Sequence, residues 1–131
     1  MEIAAALAFL AEKKLDGTLI TVFEDGRPHA SVVTPAVIDG HLWISSRRRL
    51  VKVRNVERDP RVTFIAGTSQ WAAVEGRARI DDGEGLAERL RLYYRTAAGE
   101  HPDWDDYDRA MIRDQRVIID ITPERAYGVG V

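Results

Sequence analysis

A cluster of hydroxyl and basic side chains lies near the middle of the sequence. It contains two serines and four cations: Ser45, Ser46, Arg47, Arg48, Arg49 and Lys52. The serines end an apolar stretch with strand character, and the cations open a segment with helical spacing. Unpaired backbone N–H groups and the helix dipole favour an anion at a helix N-terminus, and guanidinium and ammonium groups add full positive charges. The cluster therefore predicts a binding site for the phosphate group of a cofactor.

The same residue types have a plainer interpretation. Arginines on a helix usually form a solvated face with weak ion pairs, and by frequency alone this outcome is the commoner one. Ser45 and Ser46 are also good N-cap residues for the following helix. Capping and a phosphate contact are compatible, so both interpretations stay open at this point.

Composition limits what such a site can belong to. The chain has 131 residues, and we predict a single domain over residues 1–131 with one core. The net charge of −2 mixes both signs, which argues against a nucleic-acid-binding surface. The absence of cysteine excludes thiol catalysis and thiolate metal sites and is compatible with the cytoplasm. No apolar run approaches the roughly 20 residues of a membrane span.

Hydrophobic periodicity predicts the elements that hold the cluster. Helices are predicted at about residues 2–14, 48–57 and 83–98, with a short one within 99–114. Strands are predicted at residues 18–23, 29–38, 41–46, 61–66 and 70–80, and a last strand at 115–121 and 126–129 is interrupted by Thr122-Pro123-Glu124.

Turn residues predict how the first strands connect. Asp25-Gly26 and Asp39-Gly40 are hairpin signals, so the first three strands are predicted to form an antiparallel meander. Pro35 predicts a bulge or an unpaired edge within the second strand. The element order predicts a mixed α+β fold, with a six- to seven-stranded antiparallel barrel and peripheral helices.

At this point the sequence resembles a known family. The resemblance extends from Gly17 to Gly128 and rests on the order and spacing of four short segments: Asp25-Gly26-Arg27-Pro28, residues 52–62, Val74-Glu75-Gly76 and residues 122–128. Together they resemble the pyridoxamine 5'-phosphate oxidase-like split β-barrel proteins, which include the FMN-binding split barrels. Within that group the chain is most similar to the actinobacterial branch that binds the deazaflavin coenzyme F-420.

The resemblance implies a homodimer with two cofactor sites at the subunit interface. It implies that Lys52 holds the cofactor phosphate, that Ser45 and Ser46 contribute, and that Arg47, Arg48 and Arg49 assist. It also places Val32, Val33 and Thr34 along the cofactor ring. Trp71 occupies a position that is commonly glutamine in FMN-binding oxidases, which favours coenzyme F-420 over FMN. Trp71 could equally be a core or dimer-interface anchor.

The function that the resemblance implies is hydride transfer between a reduced deazaflavin and a small unsaturated or quinone-like substrate. Two alternatives stay open: an FMN-binding oxidoreductase, or a non-catalytic protein that binds a cofactor or tetrapyrrole. No Ser-His-Asp order, dinucleotide fingerprint or Walker loop is present, and we assign no catalytic residue. His29, His41 and His101 show no metal-ligand spacing, and we assign them neither a metal nor a catalytic role.

Overall fold

Seven strands and four helices make up the fold in the computed structural model, which describes all residues from Met1 to Val131. The strands are β1 (Gly17–Val22), β2 (Pro28–Val33), β3 (Pro35–Ile38), β4 (His41–Arg47), β5 (Arg61–Gly67), β6 (Trp71–Asp81) and β7 (Arg116–Val129). The helices are α1 (Ile3–Lys13), α2 (Val51–Arg58), α3 (Leu86–Ala98) and α4 (Trp104–Arg113). None of the helices has the length and apolar character that crossing a bilayer requires.

All seven strands form one antiparallel sheet in the order β2-β1-β5-β6-β7-β4-β3. The sheet curls into a split barrel, which confirms the predicted fold class. The predicted strand at 29–38 is wrong as one continuous strand, because the chain breaks at Thr34 and β2 and β3 occupy opposite edges of the sheet. Proline suits this break, since it lacks an N–H donor and is tolerated at the start of an edge strand. The hairpins β1–β2 and β3–β4 form as their turn residues predict.

The last strand is continuous where the sequence predicts an interruption. Its pairing with β6 shifts register between Glu75 and Gly76, opposite Pro123, so the predicted break is a β-bulge. A Cβ atom on Gly76 would overlap the carbonyl oxygen of Thr122, which explains the glycine at this position.

The barrel interior forms the main core. Inward-facing side chains of the strands fill it, among them Leu19, Phe64 and Ile119, which are fully buried. Helix α1 closes it with Leu7 and Leu10.

Helix α2, which carries Lys52, is fixed to the barrel by apolar and polar contacts. Val53 and Val56 are buried in the core. Asn55 is 2% exposed, and its Nδ2 donates to Thr21 Oγ1 at 3.1 Å. Its Oδ1 accepts from the Arg58 guanidinium at 3.3 Å. These contacts set the rotation of the helix, so that Lys52 lies on a different face from the core residues.

We predict that Asn55→Ala lowers the free energy of unfolding by about 1–3 kcal/mol, because it leaves the buried Thr21 hydroxyl without its partner. Urea denaturation measures this. Arg54→Ala, on the exposed side of the same helix, is the control and is expected to change stability by less than about 0.5 kcal/mol. Equal effects of the two substitutions would contradict an anchoring role for Asn55.

Candidate functional site

A cavity of roughly 520 Å³ lies between the sheet and the helices α3 and α4. One wall comes from the sheet and α2, and it consists of Val32, Val33, Thr34, Ser45, Lys52 and Arg116, with Asp16 beside them. The other comes from α3, α4 and the loop between them, and it consists of Tyr93, Tyr94, His101, Asp106, Tyr107, Ala110 and Met111. The volume lies within the range of about 300–1,000 Å³ that is usual for small-molecule sites.

Two cations face this cavity without a carboxylate partner. Lys52 makes one long contact, from Nζ to Ser31 Oγ at 3.5 Å. The Nε of Arg116 is buried and has no hydrogen-bond partner, and its Nη1 donates to the carbonyl of Ser45 at a long 3.4 Å. Buried polar groups are normally satisfied, so an Arg116 side chain that lines the cavity with its Nε unpaired favours a bound acceptor.

The pKa of Lys52 also reflects a positive charge without a nearby carboxylate. Partial burial lowers it below its ordinary value, and the positive charge of Arg116 lowers it further. Both causes penalise the charged ammonium and would be relieved by a bound anion. The end of the cavity with Lys52 and Arg116 is therefore suited to a phosphate or carboxylate group.

Arg116 was missed by the sequence analysis, although it supplies the clearest sign of an anion site. It begins β7 and lies opposite Arg47 on β4. Only the antiparallel pairing of these two strands brings it to the cavity. No sequence motif marks Arg116, because β4 and β7 are distant in the chain.

Thr34 connects the sheet to the segment before β1 and to α3 through two hydrogen bonds. Its Oγ1 donates to Asp16 Oδ1 at 2.6 Å, and its carbonyl accepts from the Tyr93 hydroxyl at 2.7 Å. The break between β2 and β3 is thus held by side chains from the segment before β1 and from α3.

The cavity wall formed by α3, α4 and the loop between them, which we call the helical wall, contains two tyrosines whose hydroxyls make structural hydrogen bonds. Besides the Tyr93 contact, the Tyr107 hydroxyl donates to the carbonyl of Leu90 at 2.7 Å. Burial raises the pKa of Tyr93 and raises that of Tyr107 to about 12. Both phenols therefore stay protonated at neutral pH and tie α3 to its neighbours.

Four rings pack together beside the cavity: Tyr94, His101, Trp104 and Tyr107, of which all but Trp104 line it. Their centroids lie 5.0–5.8 Å apart. The Arg95 guanidinium lies 4.8 Å from the Trp104 ring centroid, which adds a cation–π contact. This four-ring cluster gives the cavity an aromatic side on α3, α4 and the loop between them.

The predicted serines point to opposite faces of β4. Ser45 lines the cavity. Ser46 is 1% exposed and its hydroxyl donates to the carbonyl of Arg47 at 3.1 Å. Because side chains alternate along a strand, two adjacent serines cannot face one ligand.

None of the three predicted arginines lines the cavity. Arg48 pairs with Asp82, and Arg49 is exposed. Arg47 lies next to the site, since it is the cross-strand partner of Arg116 and its own Nε is buried without a partner. Its Nη2 lies 3.6 Å from Asp114.

The remaining predicted residues divide between the cavity and the outer face of the sheet. Val32 and Thr34 line the cavity with exposed side chains, whereas Val33 lines it from a buried position. Trp71 lies elsewhere, on the outer face, where its ring packs against Tyr127 with centroids 6.1 Å apart.

A mostly apolar row of residues crosses this outer face from the cavity rim to Tyr127, against which Trp71 packs. Cross-strand pairing aligns Val32, Thr18, Ile65, Ala73 and Tyr127. Val32 is 76% exposed and also lines the cavity. We call these five residues the outer row.

Comparisons with known proteins support the split-barrel fold and identify the protein family. The profile of the pyridoxamine 5'-phosphate oxidase family matches residues 3–130. The chain belongs to this family.

Solved structures show the same architecture. A conserved hypothetical protein from Mycobacterium tuberculosis is 27% identical, with a TM-score of 0.80 over 98% of this chain and 84% of that one. An F-420 reductase is 23% identical, with a TM-score of 0.69 over 91% of this chain and 94% of that one. A heme-binding protein from Mycobacterium smegmatis is 19% identical, with a TM-score of 0.70 over 99% of this chain and 55% of that one. At these lower identities the last two likenesses show the fold alone.

We predict that Arg116→Met raises the pKa of Lys52, because it removes the neighbouring positive charge that disfavours the ammonium form. NMR titration of the lysine side chain measures the shift. Arg49→Met, which removes an exposed charge outside the cavity, is the control and should leave the Lys52 titration in place. An unchanged Lys52 pKa in Arg116→Met would contradict the coupling.

Proposed function

We propose that this protein is an oxidoreductase that binds coenzyme F-420, and that it transfers a hydride between the reduced deazaflavin and a small unsaturated or quinone-like substrate. The observation that carries the proposal is a pair of cations without a carboxylate partner, Lys52 and Arg116, in a cavity of a chain that belongs to a family of flavin-type oxidoreductases.

The side chains in the cavity fit a phosphorylated cofactor. Lys52 and Arg116 would hold its phosphate, and Ser45, whose side chain lines the cavity, would add a hydroxyl. Arg47, the cross-strand neighbour of Arg116, would contribute a further positive charge. Val32, Val33 and Thr34 would lie along the ring, and the four-ring cluster would exclude water from the reacting face.

The bound deazaflavin would supply the hydride chemistry, and the protein would supply orientation and a dry, aromatic cavity. FMN is the competing cofactor, since its phosphate would meet the same cations. A third alternative is a non-catalytic carrier, which would bind either cofactor but would reduce no acceptor.

The proposal includes a twofold homodimer that covers the outer row. An isologous interface places the same patch of both subunits together, and the outer row begins at the cavity rim with Val32. A second subunit on this face would complete the open side of the cavity. Trp71 of the partner subunit would then approach the cofactor, which accounts for its distance from the cavity of its own chain.

We predict that Lys52→Ala and Arg116→Ala each weaken cofactor binding by about 1.5–3 kcal/mol, the usual contribution of a charge-assisted hydrogen bond. Fluorescence titrations with coenzyme F-420 and with FMN measure both affinities, and circular dichroism checks the fold. Arg48→Ala, whose guanidinium is paired with Asp82 outside the cavity, is the matched control with unchanged affinity.

Coenzyme F-420 is expected to bind more tightly than FMN to the unmodified protein. If only FMN binds with a submicromolar dissociation constant, the cofactor is FMN and the assignment of coenzyme F-420 is wrong. Unchanged affinity in both Lys52→Ala and Arg116→Ala would contradict the placement of the phosphate.

We predict that Ile65→Lys in the outer row converts a dimer to monomers, because it places a charge in the centre of the apolar patch. Light scattering measures the mass. Ile112→Lys is the matched control, since Ile112 is 77% exposed on α4 and lies outside the outer row. A dimer that survives Ile65→Lys would place the interface on another face.

A further inference from the structure

The loop between α3 and α4 fixes one ring of the four-ring cluster in a defined tautomer. The backbone N–H of Asp103 donates to Nδ1 of His101 at 2.9 Å. An amide nitrogen can only donate, so Nδ1 must be the unprotonated, accepting nitrogen of the ring. The neutral imidazole therefore carries its hydrogen on Nε2.

The same loop contains a second hydrogen bond that positions Asp103. Asp103 is the N-cap of α4, and its side chain accepts from the backbone N–H of Asp106 at 3.1 Å. The His101 ring is packed by Tyr94 at 5.0 Å, Tyr107 at 5.4 Å and Trp104 at 5.6 Å between centroids. Its orientation is thus set by one hydrogen bond and three aromatic neighbours.

His101 lines the cavity, and its Nε2 has no hydrogen-bond partner in the chain. The other donors of the helical wall are less suitable. The hydroxyls of Tyr93 and Tyr107 are occupied by backbone carbonyls. The hydroxyl hydrogen of Tyr94 can rotate, whereas the N–H of a packed imidazole has a fixed direction.

We propose that His101 is a catalytic hydrogen-bond donor, and that its Nε2–H binds the carbonyl oxygen of a conjugated substrate such as an enone or a quinone. The inference rests on the proposed function and narrows its substrate class to acceptors in which a carbonyl oxygen is conjugated with the carbon that receives the hydride.

The chemistry of such a substrate gives Nε2–H its role. When a hydride from the reduced deazaflavin or flavin adds to the conjugated carbon, a C–H bond forms with the electron pair of the hydride and the C=C π bond breaks. That π pair forms a new double bond to the carbonyl carbon, and the C=O π pair moves onto the oxygen, giving an enolate while the cofactor is oxidised by two electrons. A preorganised donor at this oxygen stabilises the developing charge. The enolate then takes a proton from water.

The test uses p-nitrophenolate, whose anionic oxygen imitates the enolate oxygen. Two variants separate the two nitrogens of the ring. His101→Asn keeps an acceptor at the position of Nδ1 and removes the donor at the position of Nε2, whereas His101→Gln places an amide N–H near Nε2. Absorbance titrations are run with cofactor-loaded protein, and with cofactor-free protein in inorganic phosphate that occupies the Lys52–Arg116 end.

We expect His101→Asn to weaken phenolate binding by about tenfold or more, the range for a hydrogen bond to a charged group, and His101→Gln to stay within about threefold of the unmodified protein. Long-range ¹H–¹⁵N NMR of the histidine ring is expected to show the Nε2–H tautomer. Circular dichroism and the midpoint of urea denaturation should be the same in all three proteins, which separates a loss at His101 from a loss of the fold.

Equal phenolate affinity in His101→Asn and the unmodified protein would overturn the inference, and so would an Nδ1–H tautomer. If the unmodified protein binds neither coenzyme F-420 nor FMN, the proposed function fails. In that case the NMR and phenolate results from the cofactor-free protein still decide the assignment of His101.

Discussion

One segment, from Pro28 to Ile38, supplies both edges of the sheet, and the position of the cavity depends on it. Because β2 and β3 lie at opposite ends of the strand order, the break at Thr34 closes the curl of the sheet. The contacts of Thr34 with Asp16 and Tyr93 hold that closure. The sheet wall, the segment before β1 and the helical wall therefore meet at one residue.

The second constraint is electrostatic. Lys52 and Arg116 approach each other from a helix and a strand that are distant in sequence, and both lose hydration on folding. Their repulsion and burial cost stability in the absence of an anion, since no carboxylate compensates them. Sites that bind anions tightly carry this cost, because a cation already neutralised by a carboxylate would have to give up that partner to a ligand.

The sequence was informative about the elements and less so about which side chains converge. Turn residues and β-branched runs located the strands, because local sterics determine both. Lys52, which lines the cavity, was predicted as a phosphate contact because the family resemblance covers its segment. Arg116 was not found, because its place depends on the pairing of β4 with β7. The burial of the Ser46 side chain could have been anticipated, since strand alternation alone requires that the side chains of Ser45 and Ser46 face opposite ways. The pairing of Arg48 with Asp82 could not be predicted from the sequence, because it depends on contacts between distant segments.

The three tryptophans of the chain lie in three different environments. Trp43 packs under the helical wall beside Tyr94, Trp71 stands on the outer face against Tyr127, and Trp104 belongs to the four-ring cluster. Indole emission responds to nearby charge and polarity, so single-tryptophan variants would give each of these three environments its own intrinsic fluorescence signal, without an added label.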